Sequence, residues 1–315
     1  MGEGGEAGGD HRRMTLFAPP QRIETEVFAE VPAKLRNSAV NAERIAAGKS
    51  PTPAGCFLEG PAFDRAGNLY VVDLAFGRIF KISPQGEFSI FAEYDGEPNG
   101  IAIHKDGRIF VADHKHGILA FDPKSGKSTP VVSRYHAQGF KGVNDLYFDH
   151  SGNLYFTDQG VTDLADPTGC VYRLSNGKLE QLTSCVPSPN GLVLSKNQTT
   201  LFVAATRANA VWRLPFAPDG MVVRMGVQIQ LSGGRGPDGM AMDEDDGLAV
   251  AHPDMGAVWL FNHRGEPMYR VQSCASDVVT NVAYQGNMLY ITDSGSGCVL
   301  RAKVPPSGRL LYSHT

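Results

Sequence analysis

Pro98-Asn99-Gly100-Ile101-Ala102-Ile103, followed closely by Gly107-Arg108-Ile109-Phe110-Val111-Ala112-Asp113, decides how this chain folds, because the same pattern returns along its whole length. Val143-Asn144-Asp145-Leu146-Tyr147-Phe148 leads to Gly152-Asn153-Leu154-Tyr155-Phe156-Thr157-Asp158, and Glu59-Gly60-Pro61-Ala62-Phe63 leads to Gly67-Asn68-Leu69-Tyr70-Val71-Val72-Asp73. Pro189-Asn190-Gly191, Pro237-Asp238-Gly239 and Thr280-Asn281-Val282 open three further copies, which makes six. With Glu59, Asn99, Asn144, Asn190, Asp238 and Asn281 as equivalents, the steps are 40, 45, 46, 48 and 43 residues. Short β-rich runs split by Gly, Asn and Asp turns at that period are the mark of propeller blades.

A third run follows in every copy, for example Arg78-Ile79-Phe80-Lys81-Ile82 and Ala210-Val211-Trp212-Arg213-Leu214, and the variable segment after it supplies a fourth strand. The expected fold is therefore all-β, a six-bladed β-propeller with a metal site in its central channel. The repeats run from about residue 59 to 305 and leave no room for a second domain, so residues 16–315 are read as one propeller domain. Ile23 to Val31 alternates as a strand that would close the ring from the N-terminal side, and Pro32 to Ala47 reads as a short helix or long loop outside the repeat. Residues 1–15 read as a disordered leader without the apolar core of a secretion signal.

Composition agrees with a turn-rich β-protein: 36 glycines and 20 prolines in 315 residues are about 18%, against roughly 12% in average usage. Net charge is −4, with 29 Lys and Arg against 33 Asp and Glu and no basic blocks, which argues against nucleic acid and anionic membrane as partners. No run of 18 apolar residues offers a transmembrane helix. Cys56, Cys170, Cys185, Cys274 and Cys298 show no metal-binding spacing, and an odd, scattered set fits thiols in a reducing compartment, with the cytoplasm as the expected location. Oligomeric state has no signature in the sequence.

In a propeller the first strand of each blade lines the channel, so Glu59, Asn99, Asn144, Asn190, Asp238 and Asn281 converge on the axis. A single Asn-Gly would simply make a turn. Six oxygen-bearing side chains at one repeat position, two of them carboxylates, point instead to a hard divalent cation, calcium first, then magnesium or manganese, with zinc less suited to an all-oxygen cage. The ends of the second strands, Asp73, Asp113, Asp158, Thr206, His252 and Asp293, are expected around the pocket mouth. Among these Asp158 and His252 are candidate substrate contacts, the histidine as a possible proton shuttle; the alternative for each Asp is a turn-initiating role. No G-x-S-x-G elbow is present, which argues against a serine hydrolase.

Glu59-Gly60-Pro61, Asn144-Asp145, Pro189-Asn190-Gly191, Pro237-Asp238-Gly239 and Thr280-Asn281-Val282-Ala283-Tyr284 resemble, in order and one per blade, the senescence marker protein / gluconolactonase / luciferin-regenerating enzyme family of six-bladed propellers. The resemblance implies a central cation held by Glu59, Asn144, Asn190 and Asp238, with Asn144 a ligand as well as a substrate contact. Members that act on sugar lactones carry an arginine two residues before the third-blade Asn. Here Gly142 stands in that place and Lys141 beside it, which argues against gluconolactone itself.

The expected activity is metal-dependent opening of a lactone or related cyclic ester by cation-activated water. Asp238 is the expected general base and Glu59 the anchoring carboxylate, with Asn99, Asn144, Lys141, Asp158, His252 and Asn281 around the substrate. A phosphotriesterase-like reaction at the same site and a non-enzymatic binding platform are the alternatives, since fold does not fix function.

Overall fold

The computed structural model describes residues 19–36 and 54–315. The leader at residues 1–15 lies outside the described residues, as does most of the segment read as a helix or loop, of which Ala33–Leu35 forms one turn of 3-10 helix.

Six blades, each with four antiparallel strands, follow one another around a ring. The first blade is built from Leu58–Phe63, Leu69–Asp73, Arg78–Ile82 and Phe88–Glu93. The β-branched and aromatic runs of Leu69–Asp73 and Arg78–Ile82 suit these strands, which are buried along nearly their whole length. Asp64 then turns the chain between the first two strands, its Oδ1 accepting from Ala66 N at 2.9 Å and Asn68 N at 2.8 Å. Asp149 does the same for Ser151 N and Asn153 N in the third blade. Gly67 and Gly152, at φ +81° and +83°, occupy the left-handed position that these turns require.

The innermost strands are Leu58–Phe63, Pro98–Ile103, Val143–Phe148, Pro189–Leu194, Met240–Met242 and Val279–Gln285. Each touches the next, and the sixth touches the first, so the ring is closed. Apolar side chains fill the seams between blades. One cluster, with Leu58, Val71, Phe80, Tyr290 and Val299, joins the sixth blade to the first. Another, with Phe110, Phe148, Phe156 and Tyr172, joins the second to the third.

The N-terminal segment is two strands rather than one. Glu26–Glu30 pairs antiparallel with Cys298–Lys303 and supplies the outer strand of the sixth blade. Gln21–Glu24 runs parallel to Pro267–Gln272 as a fifth strand on the fifth blade. The break falls at Thr25, whose hydroxyl donates to Gln272 O at 3.0 Å and accepts from Cys274 N at 2.9 Å, pinning the crossing between the two blades. Among the described residues no helix is long and apolar enough to cross a membrane.

Candidate active site

The repeat position singled out in the sequence coincides with an irregularity in the backbone. The ladder between first and second strands shifts register at Glu59/Ala62, Pro98/Ile101, Val143/Leu146, Pro189/Leu192 and Val279/Asn281. A bulge of this kind bends its strand and re-aims side chains. In the fifth blade the regular strand begins only at Met240, and Asp238 is held just before it by Asp238 N donating to Ala251 O at 2.9 Å.

The glycines beside these positions let the blades close on the axis. A Cβ on Gly100 would lie 2.4 Å from Asp145 Oδ1, and one on Gly239 would lie 2.0 Å from Asn281 Oδ1. The missing side chain of one blade is thus the space taken by the polar group of the next.

Glu59, Asn99, Asn144, Asp145, Asn190 and Asn281 are buried. Asp238 is half-buried, enclosed by protein yet still reached by solvent. Burial pushes the Glu59 carboxyl well above the usual carboxylate range, and the charges of Asp238 and Asp145 push it further, against hydrogen bonds from Asn281 and Gly60 N. Asp238 is pushed up to about 7 by burial and then by Asp145, against a hydrogen bond from Asn190 and the more distant Arg235 and Arg207. Burial brings Asp145 to about 6, opposed by Leu146 N at 2.8 Å and Asn281 Nδ2 at 3.3 Å. Three carboxyls therefore oppose one another's ionisation, and a positive charge among them would reverse all three shifts.

Asn144 carries the clearest mark of a missing partner. Its Nδ2 donates to Gln159 Oε1 at 2.8 Å, and Gln159 Nε2 donates in turn to Ser188 Oγ at 2.9 Å, so the amide is held in one orientation. Its Oδ1 is buried with no hydrogen-bond partner among the described residues. Such orphans are rare in folded proteins and call for an unrepresented water or ion. The donor set of carboxylate and amide oxygens fits a hard cation. Among the described residues no three His, Cys, Asp or Glu side chains are close enough to hold a metal by themselves, so the amide oxygens would have to contribute.

Several residues expected at the site are engaged in hydrogen bonds of the scaffold. Asp158 is buried, and its Oδ1 accepts from Gly142 N at 2.8 Å, which anchors the loop before the third blade. His252 is buried with both ring nitrogens engaged: Nδ1 accepts from Trp259 Nε1 at 3.1 Å, and Nε2 meets Gly233 O at 3.0 Å. Burial holds its pKa below the ordinary histidine value. The Lys141 amine is committed to Thr168, donating to Thr168 O at 2.8 Å and to its hydroxyl. Asn99 does reach the axis, with Nδ2 3.3 Å from His114 Nε2, and Asn281 bridges toward Asp145.

Asp145 had no role assigned from the sequence. The signal was its place directly after an axial Asn in a strand whose bulge turns consecutive residues inward. Gln159, which orients Asn144, lies directly after a second-strand Asp and had no distinguishing pattern.

Residues 57–295 match the family model described as the SMP-30/Gluconolactonase/LRE-like region. The lactonase drp35 of Staphylococcus aureus (strain MW2) is 34% identical over 230 residues, covering 69% of this chain and 70% of that protein. Lactonase drp35 of Staphylococcus epidermidis (strain ATCC 12228 / FDA PCI 1200) is 32% identical over the same length. Among solved structures, a gluconolactonase from Xanthomonas campestris superposes with TM-score 0.72 at 22% identity, covering 89% of this chain and 99% of its own. Regucalcin from Agrobacterium tumefaciens, described as a calcium-binding protein, gives TM-score 0.75 at 18% identity over 95% of this chain and 100% of its own. Both structures share the propeller fold with this chain.

Proposed function

The chain belongs to the SMP-30/gluconolactonase/LRE-like family, and from that premise we propose that it is a metal-dependent lactonase whose reaction centre is the axial cluster. The observation that carries the reading is the buried, unpartnered Oδ1 of Asn144, on the strand that also carries Asp145, together with axial carboxyls driven up by burial and mutual repulsion. A binding platform has no need of such a costly arrangement. Glu59, Asn144, Asn190 and Asp238 would hold the cation, most simply calcium. Its contribution is to polarise the ester carbonyl and acidify water near neutral pH.

The chain's own residues divide the remaining work by exposure. Asp238 is reached by solvent, unlike the enclosed Glu59, so it is suited to take the proton of a water attacking the carbonyl carbon. The ring C–O bond then breaks, and the departing oxygen takes up a proton to leave a hydroxy acid. Glu59 is fully enclosed and serves as an anchor. Asn281, oriented by its own contacts, and Asn99 are placed to position the substrate. The lactonase relatives support the substrate class, and the calcium-binding neighbour supports the choice of ion.

The test is hydrolysis of a lactone panel with one phosphotriester added, on chelator-treated protein resupplied with calcium, magnesium, manganese or zinc. Lactone turnover that disappears with chelator and returns with metal is the expected result. Turnover indifferent to metal, or confined to the phosphotriester, would overturn the reading.

A further inference from the structure

The second blade repeats, with one change, the device that orients Asn144. In the third blade Gln159 follows Asp158 at the end of the second strand, and its Oε1 accepts from Asn144 Nδ2 at 2.8 Å. In the second blade His114 follows Asp113 at the same place, and its Nε2 lies 3.3 Å from Asn99 Nδ2. An amide nitrogen can only donate, so Nε2 is the acceptor and the ring carries its proton on Nδ1. Glu97 Oε2, 3.8 Å from Nδ1, favours a proton on that same nitrogen. Neighbours of the two ring nitrogens thus call for one tautomer.

The surroundings hold the ring in place. His114 N donates to Glu97 O at 3.0 Å, which joins the loop after the second strand to the residue before the first. A Cβ on Gly142 would lie 3.8 Å from His114 Cγ, so the ring stands against the loop that enters the third blade. Its side chain is only 15% exposed. The next two basic residues pair with Asp95 instead, Lys115 Nζ with its carboxylate and His116 Nε2 with its carbonyl oxygen.

We propose that His114, backed by Glu97, is a positioning residue for the substrate: it holds the amide of Asn99 in one orientation, as Gln159 does for Asn144. An amide left free can offer either its donor or its acceptor end, whereas one that is held offers the same end each time. Asn99 stands outside the proposed cation set of Glu59, Asn144, Asn190 and Asp238, so the effect falls on substrate binding and not on the metal. The kinetic consequence rests on the proposed lactonase reading. The orientation of Asn99 does not.

The test compares His114→Leu, which removes the acceptor, with His114→Gln, which restores one of the kind that Gln159 supplies. In isotope-labelled, chelator-treated protein the Asn99 side-chain amide is assigned by its loss in Asn99→Ala. Its protons are expected to exchange with water about tenfold faster in His114→Leu than in wild type or His114→Gln. With calcium restored, on the lactone that the wild type turns over fastest, His114→Leu is expected to raise KM about tenfold with kcat within about twofold. His114→Gln should keep KM within about twofold, and the double variant with Asn99→Ala should be no worse than Asn99→Ala alone. Equal exchange in wild type and His114→Leu would overturn the proposal whatever the activity. So would a His114→Gln as impaired as His114→Leu, or losses that multiply in the double variant. A wild type without lactone turnover counts against the proposed function alone, and the exchange rates then decide the role of His114.

Discussion

Two sets of acidic and amide side chains occupy equivalent positions around this propeller, and the structure treats them in opposite ways. At the ends of the second strands, Asp113 accepts from Tyr94 Oη, Glu97 N, Lys115 N and His116 N, all at 2.8 or 2.9 Å. Asp293 accepts from Ser273 Oγ, Ser276 N and Ser296 N at 2.8 to 3.0 Å. Asp73 takes Phe57 N and the Arg78 guanidinium. At the axis, Glu59, Asp145 and Asp238 face one another instead, and Asn144 Oδ1 is unpartnered. Repetition alone therefore says only that a polar residue is placed six times. Whether its hydrogen-bonding capacity is filled says whether it holds the scaffold or waits for something else.

The comparison breaks most sharply on substitution. Asp238→Asn should lower lactone kcat/KM by about 10³-fold, the scale of a lost general base, while chelator-treated protein melts no lower than wild type because a repelled carboxylate has been removed. Steady-state kinetics with a thermal melt decides it, and a variant that keeps activity would make Asp238 a bystander. Asp113→Ala should do the reverse. It leaves several buried donors unmet and costs about 3 kcal/mol in urea unfolding, with kcat per folded molecule within about twofold of wild type.

The pH response sharpens the same contrast. Asp145 and Asp238 titrate at about 6 and 7 in the folded chain against 3.8 unpaired, so the folded state holds these protons more tightly. Their contribution is full below the unfolded value and is lost as pH rises through 6 and 7. Chelator-treated protein should thus lose stability between pH 4 and pH 8, by something on the order of a few kcal/mol, and Asp238→Asn should flatten the fall. Urea midpoints measured across that range check the sign. A rise for the wild type relative to the variant would contradict it.

The fold could be read from the sequence because each blade restates it in short-range terms. The Asp64 and Asp149 turns, the alternating strands and the 40 to 48 residue spacing are all local. The axial set was legible for the same reason. What stayed hidden depended on direction and on distant partners. Asp158 and His252 sit at repeat positions as good as any, yet their hydrogen bonds are taken up by Gly142, Trp259 and Gly233, partners that the repeat pattern does not indicate. Asp145 was invisible as a third carboxyl until the bulge between Val143 and Leu146 brought it round. The split of the N-terminal strand at Thr25 rests on a bond to Gln272, far away in sequence.

The smallest expected effect concerns Lys141, a residue that sequence placed at the substrate and whose amine donates to Thr168. Lys141→Met should change lactone kcat/KM by no more than about twofold, since the amine serves Thr168 on an exposed loop. A loss beyond about tenfold would return Lys141 to the pocket.

Whether the unfilled oxygens at the axis belong to a cation is decided by calorimetric titration of calcium into chelator-treated wild type and Asn144→Leu. One calcium per wild-type chain is expected, with binding weakened at least about tenfold in the variant, which lacks the unpartnered oxygen. No binding by the wild type, or equal binding by both, would contradict it.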